Sequence, residues 1–320
     1  MEIYTKEDFL SLAYLSWDQT RVNLNADALT ALAKIGRQEK PTPPNWDFYL
    51  PESLQAAKNR SQNGSPEFDE TVCRAAYFLF VQCALQYCFW EKKKATERPE
   101  HWYFGDHKGS VGCAALTTEW YDKGIFPGLH VVGEELTQEL WPLLQTMPLA
   151  QSRLAILHEL ADYDAFKLFV YKQIMHAQRV DTTVAAHMAR LFPHAFADPF
   201  LKKALLYLGI LASNMKARGV HLKAELAPFA DYRMPQVLRH YGVLDYAPAL
   251  ARKVDAYQQI TSGSADEMAI RAGMIAACVK LAEETGMSDL QVDAWLFLQT
   301  RASDFQENAK PFHLTTTTHY

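Results

Sequence analysis

The chain has 320 residues, of which 49% are hydrophobic and 22% charged, an ordinary globular composition long enough to bury a substantial core. Its formal net charge is −5 at pH 7 and its isoelectric point is near 6.1. Because a protein that grips a nucleic-acid backbone usually carries a basic surplus, these numbers argue against a nucleic-acid polymer as partner. They are compatible with a small or locally anionic substrate, since one pocket needs only a few cations.

Helical patterns dominate the sequence. The amphipathic segments 6–15 and 25–36 come first, and a connection over 38–66, rich in helix-breaking residues, leads to a long helix predicted over 70–94. That helix is apolar nearly all round, but its longest apolar run, over 75–90, is interrupted by Gln82 and Gln86 and is shorter than the roughly 20 residues that span a bilayer. We therefore expect it to be buried and expect no membrane partner. Further helices are predicted at 110–123, 134–146, 149–174, 181–191, 198–217, 232–241, 246–260, 264–285 and 288–301.

Two helix starts carry capping boxes, Ser264 with Glu267 and Ser288 with Gln291. Only residues 128–132 suggest a strand, and we expect the tail over 310–320 to be frayed. The prediction is an all-α fold: a single multi-helix globular domain over 1–320, built as one or two lobes.

Five cysteines form no CxxC pair and are odd in number, which favours reduced thiols and a cytoplasmic location. The N-terminus, MEIYTKEDFL, is charged where an export signal would be apolar. Fingerprints for dinucleotides, for phosphate loops and for serine hydrolases are absent, and His158-Glu159 is followed by Asp162 where a zinc-binding helix needs histidine. We therefore predict no cofactor and no metal.

Four sequence clusters remain. They are LQYCFW (85–90), FPHAFADPFLKKA (192–204), FADYRMPQVLRHYGVLDY (229–246) and, near the C-terminus, Glu267-x-x-Ile270-Arg271-Ala272 followed by Val292-Asp293-x-x-Leu296. Together they resemble the queuosine salvage family, also called queuosine 5′-phosphate N-glycosylase/hydrolase. The resemblance covers about residues 70–300 in consistent order, while 1–69 match less well, and FADYR-x-PQ is its specific element.

The resemblance implies a hydrolase that cleaves the N-glycosidic bond of queuosine 5′-monophosphate, releasing queuine and ribose 5-phosphate without metal or redox cofactor. It also implies that LRHYGVLDY, with Gly242 at the turn, is a helix-hairpin-helix element of the kind found in DNA glycosylases. The acidic net charge indicates that this hairpin is scaffold and does not bind DNA.

The sequence departs from the family pattern at two places. Where the family commonly has glutamine and, a few residues on, aspartate, this chain has Leu205 and Ile210. These departures leave two alternatives open: a hydrolase of the nucleoside without the phosphate, or a non-catalytic protein that binds a deazapurine nucleotide.

Asp231 has two interpretations. It can cap the helix that follows, with Pro235 tolerated in the first turn. The resemblance favours catalysis, because the family's proposed catalytic aspartate falls at this position. A fixed carboxylate can stabilise the cation that develops on ribose and can activate the attacking water.

The cations nearby also have two interpretations each. Lys202 by itself is an ordinary solvated helix residue, but it aligns with the family's pocket lysine, which we count with Asp231 as catalytic. Lys203 lies about 100° further round the helix and is not expected to share the site. Arg233 can contact a phosphate or pair with a surface acid, and the resemblance places it and Tyr232 among the substrate-binding residues.

Aromatic residues could supply a stacking wall for the flat base. Phe89 and Trp90 are either core residues of the long helix or part of this wall, and Tyr103 offers further surface together with its neighbours Trp102 and Phe104. We assign Phe89, Trp90 and Tyr103 to substrate binding. Glu267 is better explained as a capping acid than as a catalyst.

Overall fold

The computed structural model describes residues 3, 5–39, 50–55, 70–91, 98–175 and 177–320, without the side chains of residues 171 and 175. Within these ranges the chain is mostly helical. The helices are α1 (Lys6–Ser16), α2 (Ala26–Glu39), α3 (Glu52–Gln55), α4 (Glu70–Ala84), α5 (Gly109–Asp122), α6 (Gly133–Leu144), α7 (Ala150–Leu160), α8 (Tyr163–Val170), α9 (Thr182–Leu191), α10 (Pro193–Phe196), α11 (Lys202–Ala217), α12 (Arg233–His240), α13 (Pro248–Asp255), α14 (Ala265–Thr285), α15 (Asp289–Gln299) and α16 (Ser303–Asn308).

Short strands pair in twos. Three pairs are antiparallel, β1 (Val22–Leu24) with β8 (Leu244–Tyr246), β2 (Trp90–Glu91) with β3 (Glu100–His101), and β4 (Tyr103–Phe104) with β5 (His107–Lys108), whereas β6 (Arg179–Asp181) and β7 (Lys223–Glu225) are parallel. The mostly helical prediction is confirmed, but these strands were not predicted. The strand expected over 128–132 is only an isolated bridge between Pro127 and Val131.

The core lies between helices that are buried on almost every side. α4 packs against α11, and α14 packs against α1, α2 and α15. From Ala75 to Ala84 every residue of α4 is buried, as is every residue from Ala269 to Cys278 in α14. A helix surrounded by protein needs no polar stripe, which explains why these segments read as apolar nearly all round.

The long helix predicted over 70–94 was wrong beyond Ala84. The fully buried Arg153 donates hydrogen bonds to the carbonyls of Leu85, Tyr87 and Cys88 at 2.8, 2.6 and 3.3 Å. Cys88 also has a left-handed backbone with φ of 38°. The guanidinium thus takes carbonyls that a continuing helix would use internally, and the chain turns into β2. The lysines at 92–94 lie outside the described residues.

The helix predicted over 149–174 is divided. α7 ends at Leu160, and the Asp162 carboxylate accepts a hydrogen bond from the Ala165 amide at 2.8 Å, so a new helix begins. α8 then ends in a π-helical turn over 171–175. Of the connection predicted over 38–66, only 38–39 and 50–55 are described, and they contain the end of α2 and all of α3.

The two predicted capping boxes differ. Ser288 and Gln291 form the reciprocal pair at the start of α15. Ser264 accepts from the Glu267 amide, but the Glu267 carboxylate accepts from the amide of Gly263 instead of Ser264. Thr5 and Asp8 form a capping box at the start of α1 that was not predicted.

The tail is packed against the body of the protein, so the prediction of a frayed tail over 310–320 was wrong. Phe312, His313, Leu314 and Tyr320 are all buried. The Cys88 amide donates to the Tyr320 carbonyl at 3.3 Å, and the Ile260 amide donates to that of Leu314 at 2.7 Å. Repeated threonines suggested low order, but the aromatic residues around them supply the burial that fixes the segment.

All five cysteines are free and buried. Among the described residues, no helix is long and apolar enough to cross a membrane. The same part of the chain contains no group of three or more histidine, cysteine, aspartate or glutamate side chains placed to hold a metal ion.

Candidate active site

A cavity opens where the starts of α11 and α12 meet the segment that follows α4. It holds about 860 Å³ of empty space, part of it open to solvent, and is lined by both apolar and charged side chains. A wall of apolar side chains with a few charged groups is typical of pockets that bind small molecules. The charged residues in its wall are Lys202, Asp231, Arg233 and Asp293.

Asp231 both caps a helix and lines the cavity. Its Oδ1 accepts hydrogen bonds from the amides of Arg233 and Met234 at 2.7 and 2.9 Å, which fixes the first turn of α12. In the described part of the structure Oδ2 receives no hydrogen bond from protein. The two interpretations of this residue are therefore compatible, because one oxygen serves the helix and the other is left for the cavity.

Lys202 is the first residue of α11 and is buried in the cavity wall. Its ammonium donates to the Gln86 carbonyl at 3.3 Å. Burial lowers the pKa of Lys202, and the negative charge of Asp231 is the largest influence in the opposite direction. Lys202 and Asp231 therefore interact electrostatically across the cavity.

Lys203 is buried as well but does not line the cavity. Its ammonium donates to the Ala84 carbonyl at 2.9 Å and lies 4.5 Å from the centre of the Tyr87 ring. Burial and the charge of Lys202 hold its pKa well below the usual value. The neighbouring lysines thus differ in surroundings, as the 100° step of a helix requires.

Asp293 is the charged residue of the wall that the sequence interpretation did not assign to the site. Burial, followed by repulsion from Asp231, raises the pKa of the Asp293 carboxyl well above its usual range. Lys202 and a backbone hydrogen bond from Phe229 act in the opposite direction. The sequence signal that could have identified Asp293 was its position in the fourth of the sequence clusters that resemble the family, where it directly follows Val292, a buried residue of α15.

The three predicted aromatic residues occupy different places. Phe89 lines the cavity and stacks on the buried Trp102, with ring centres 6.1 Å apart and planes 24° apart. Trp90 is buried behind the wall and lies 6.5 Å from the Phe312 ring. Tyr103 is 54% exposed on β4, and neither it nor Trp90 lines the cavity.

Tyr232 and Arg233 both line the cavity. The Tyr232 ring lies 4.8 Å from that of Phe312, so the tail supports this part of the wall. The Arg233 guanidinium donates to the Gln236 side-chain oxygen at 2.7 Å and lies 5.4 Å from the Phe305 ring centre. Arg233 is therefore held at the first turn of α12 by an uncharged partner.

Arg233 belongs to a group of basic side chains beside the cavity. Burial lowers the pKa of His101 to about 4, and the charges that lower it further are those of Lys108 and Arg233. Burial and Arg233 also lower the pKa of Lys108. Mutual repulsion of this kind would be relieved by an anion. Ser110, two residues after Lys108, lines the cavity next to this group.

The two departures from the family pattern have different surroundings. Leu205 is fully buried in α11 and does not line the cavity, whereas Ile210, almost one and a half turns further on, does. Only the second departure therefore changes the surface that a ligand would meet, from a carboxylate to an alkyl group.

The fold and the cavity define a mostly helical protein with an apolar pocket in which two carboxyl groups and a lysine converge. A sequence model of the queuosine salvage protein family matches residues 66–320, and the chain belongs to that family. The resemblance seen in the four sequence clusters is thereby confirmed.

Two relatives carry the name queuosine 5′-phosphate N-glycosylase/hydrolase. The protein of Dictyostelium discoideum is 30% identical over 335 aligned residues, which cover 96% of this chain and 97% of the relative. The protein of Sphaerobacter thermophilus is 37% identical over 100 residues, which span 30% of this chain and 31% of the relative.

Proposed function

We propose that this protein hydrolyses the N-glycosidic bond of queuosine 5′-monophosphate and releases queuine and ribose 5-phosphate. The observation that carries the proposal is the position of Asp231: the aspartate of the motif FADYR-x-PQ lines the cavity with Lys202 beside it. The activity named for relatives that share this family supports the same reaction.

Asp231 stabilises the transition state in the proposed mechanism. As the bond between the ribose C1′ and the base nitrogen breaks, positive charge develops on the sugar, and the carboxylate stabilises it. The carboxylate also takes a proton from the attacking water, whose oxygen forms the new bond to C1′. The base leaves with the bonding electrons and takes up a proton from solvent, to which Asp231 afterwards returns its own. A 7-deazaguanine lacks N7, so protonation there cannot assist departure, and the demand on the sugar cation is greater.

Lys202 and Asp293 complete the polar part of the site. Lys202 contacts the oxygens of ribose as a point charge. Burial and repulsion from Asp231 raise the pKa of Asp293, which favours the form that can donate a hydrogen bond to the bound nucleotide. The two carboxyl groups therefore have different roles: Asp293 donates to the nucleotide, and Asp231 stabilises the sugar cation.

The basic group beside the cavity supports a phosphorylated substrate. Arg233 and Lys108 carry positive charge near one another, and a 5′-phosphate would neutralise both. Phe89, backed by Trp102, offers a flat face for the base. This basic group favours the nucleotide over the nucleoside.

The surrounding scaffold and location complete the proposal. We propose that the predicted helix-hairpin-helix element comprises α12, the turn at Gly242 with φ of +73°, β8 and α13, and that it serves as scaffold for Asp231 and Arg233. Five free, buried thiols support a cytoplasmic location.

Incubation of the protein with queuosine 5′-monophosphate, followed by chromatographic detection of free queuine, tests the reaction. We expect release that is proportional to protein concentration and is lost in Asp231→Asn. A folded protein that binds the nucleotide in calorimetry but releases no base, while an active family member does, would support the binding-protein alternative.

The phosphate preference has its own test. Arg233→Gln should raise KM for the nucleotide by about tenfold to a hundredfold, the loss expected for a charge-assisted contact of about 1.5–3 kcal/mol. KM for the nucleoside should stay unchanged. Lys123→Met, which removes an exposed lysine paired with Glu119 on α5, is the matched control and should affect neither. An equal loss on both substrates would assign Arg233 a structural role.

A further inference from the structure

Arg271 lies in the middle of α14, has no exposed surface and does not line the cavity. Its guanidinium nevertheless bonds to both chain segments that carry the proposed catalytic side chains. We infer that Arg271 is the positioning residue that fixes Lys202 and Asp231 relative to one another. This inference rests on the proposed function.

One side of Arg271 holds the segment before Lys202. Its two terminal nitrogens donate to the two carboxylate oxygens of Asp198 at 2.9 and 2.7 Å. Asp198 Oδ2 in turn accepts the amide of Lys202 at 2.8 Å, which fixes the start of α11. Between them Leu201 has a left-handed backbone with φ of 51°, a conformation that a leucine adopts only when its surroundings impose it.

The other side of Arg271 holds the segment before Asp231. Its Nε donates to the carbonyl of Ala230 at 2.9 Å. Asp231 follows directly and is tied at its own end to α12 through the amides of Arg233 and Met234. The Asp231 side chain is thus held from both directions along the chain.

The guanidinium itself has little freedom to move. The ring centres of Tyr320 and Phe200 lie 4.3 and 4.9 Å from its central carbon, and Glu267 accepts a further bond at 3.2 Å. A planar group with donors on three nitrogens can bridge a carboxylate and a carbonyl simultaneously, which an ammonium cannot do in the same geometry.

Stability alone is a weak explanation for this arrangement. A buried ion pair is often no better for stability than apolar side chains of the same volume, because both charges lose their hydration. A fixed distance between the segments that carry Lys202 and Asp231 does require a buried group that bonds to both, because a displacement of about 1 Å at a reacting centre can cost a hundredfold in rate.

Arg271→Lys tests the inference. We expect kcat for queuosine 5′-monophosphate to fall by about tenfold to a hundredfold, with KM within about threefold because no residue of the cavity wall is replaced. In the Asp231→Asn background, Arg271→Lys should lower kcat by a much smaller factor. Without the Asp231 carboxylate, the distance that Arg271 fixes between Lys202 and position 231 no longer affects the reaction. Equal factors in both backgrounds would show that Arg271 and Asp231 act independently and would overturn the inference.

Amide hydrogen exchange provides a readout that needs no turnover. Arg271→Lys should accelerate exchange at the amides of Lys202 and Arg233, whereas Glu267→Gln, which keeps the bonds to Asp198 and Ala230, should leave both unchanged. Protection of both amides as in the parent protein would overturn the inference even if the proposed reaction fails. If Arg271→Lys does not fold, Tyr320→Leu, which removes one ring from the guanidinium, is expected to produce a smaller acceleration at the same amides, and no acceleration contradicts it.

Discussion

Two aspartates, Asp198 and Asp231, begin neighbouring elements of the site in nearly the same way. Asp198 accepts one backbone amide at the start of α11, and Asp231 accepts two at the start of α12. They differ in what their remaining oxygen atoms meet. Both Asp198 oxygens bond to Arg271 in the core, whereas Oδ2 of Asp231 is left for the cavity.

The comparison shows why a helix cap and a catalytic group are not exclusive roles. A carboxylate has two oxygens, and a cap needs only one of them. Arg271 neutralises Asp198, whose negative charge then serves the fold. Asp231 is also held by its amide bonds, but its charge interacts with that of Lys202 without an ion pair between them.

The largest difference between the two aspartates should appear in stability. Asp198→Asn leaves the buried Arg271 without its main partner, and we expect the free energy of unfolding to fall by about 3–5 kcal/mol. Asp231→Asn should lower it by no more than about 1 kcal/mol, because asparagine caps helices nearly as well. Urea unfolding of both variants measures these two free-energy losses. Losses of similar size would contradict the different roles of the two aspartates.

A second contrast concerns the adjacent lysines. Lys202→Met should reduce kcat by about tenfold to a hundredfold through loss of a preorganised charge. Lys203→Met is the matched control and should leave kcat nearly unchanged while costing about 1–3 kcal/mol of stability, because the Ala84 carbonyl loses its donor. Steady-state kinetics and urea unfolding separate the two effects. Equal effects of Lys202→Met and Lys203→Met on kcat would contradict the expectation that only the lysine in the cavity wall takes part in the reaction.

The third and smallest effect concerns Asp293 and depends on pH. The pKa of its carboxyl is well above the usual value in the folded protein, whereas in the unfolded chain it stays near the usual value of about 3.9. Rising pH therefore favours the unfolded chain, by at most about 1.4 kcal/mol per pH unit, until the raised folded pKa is passed. Asp293→Asn removes this term, so the variant should gain stability relative to the parent as the pH rises above about 4. A difference that stays constant as the pH rises would contradict the raised pKa of Asp293.

The sequence predicted the helical class and most helix starts, because capping residues and apolar periodicity are local signals. It could not predict that α4 stops at Ala84, since the cause is Arg153, which is 68 residues away from Leu85. The buried tail was missed for a similar reason, because its packing partners, such as Tyr232, are distant in sequence.

The site was predicted in part. Phe89, Lys202, Asp231, Tyr232 and Arg233 were all named from the sequence and line one cavity. Asp293 and Lys108 were not assigned, because an acid in a helix and a lysine in a two-residue strand have no distinguishing local pattern. Trp90 and Tyr103 lie on short strands that follow α4, and neither lines the cavity.

The central claim is that the charge of Asp231 serves the reaction in addition to the helix. Single-turnover release of queuine by folded Asp231→Asn, with the nucleotide affinity measured by calorimetry, tests this most directly. We predict a rate lower by about a hundredfold or more with nearly unchanged affinity, because the carboxylate acts on a charge present only in the transition state. A folded variant that retains most of the parent rate would show that Asp231 is a helix cap alone.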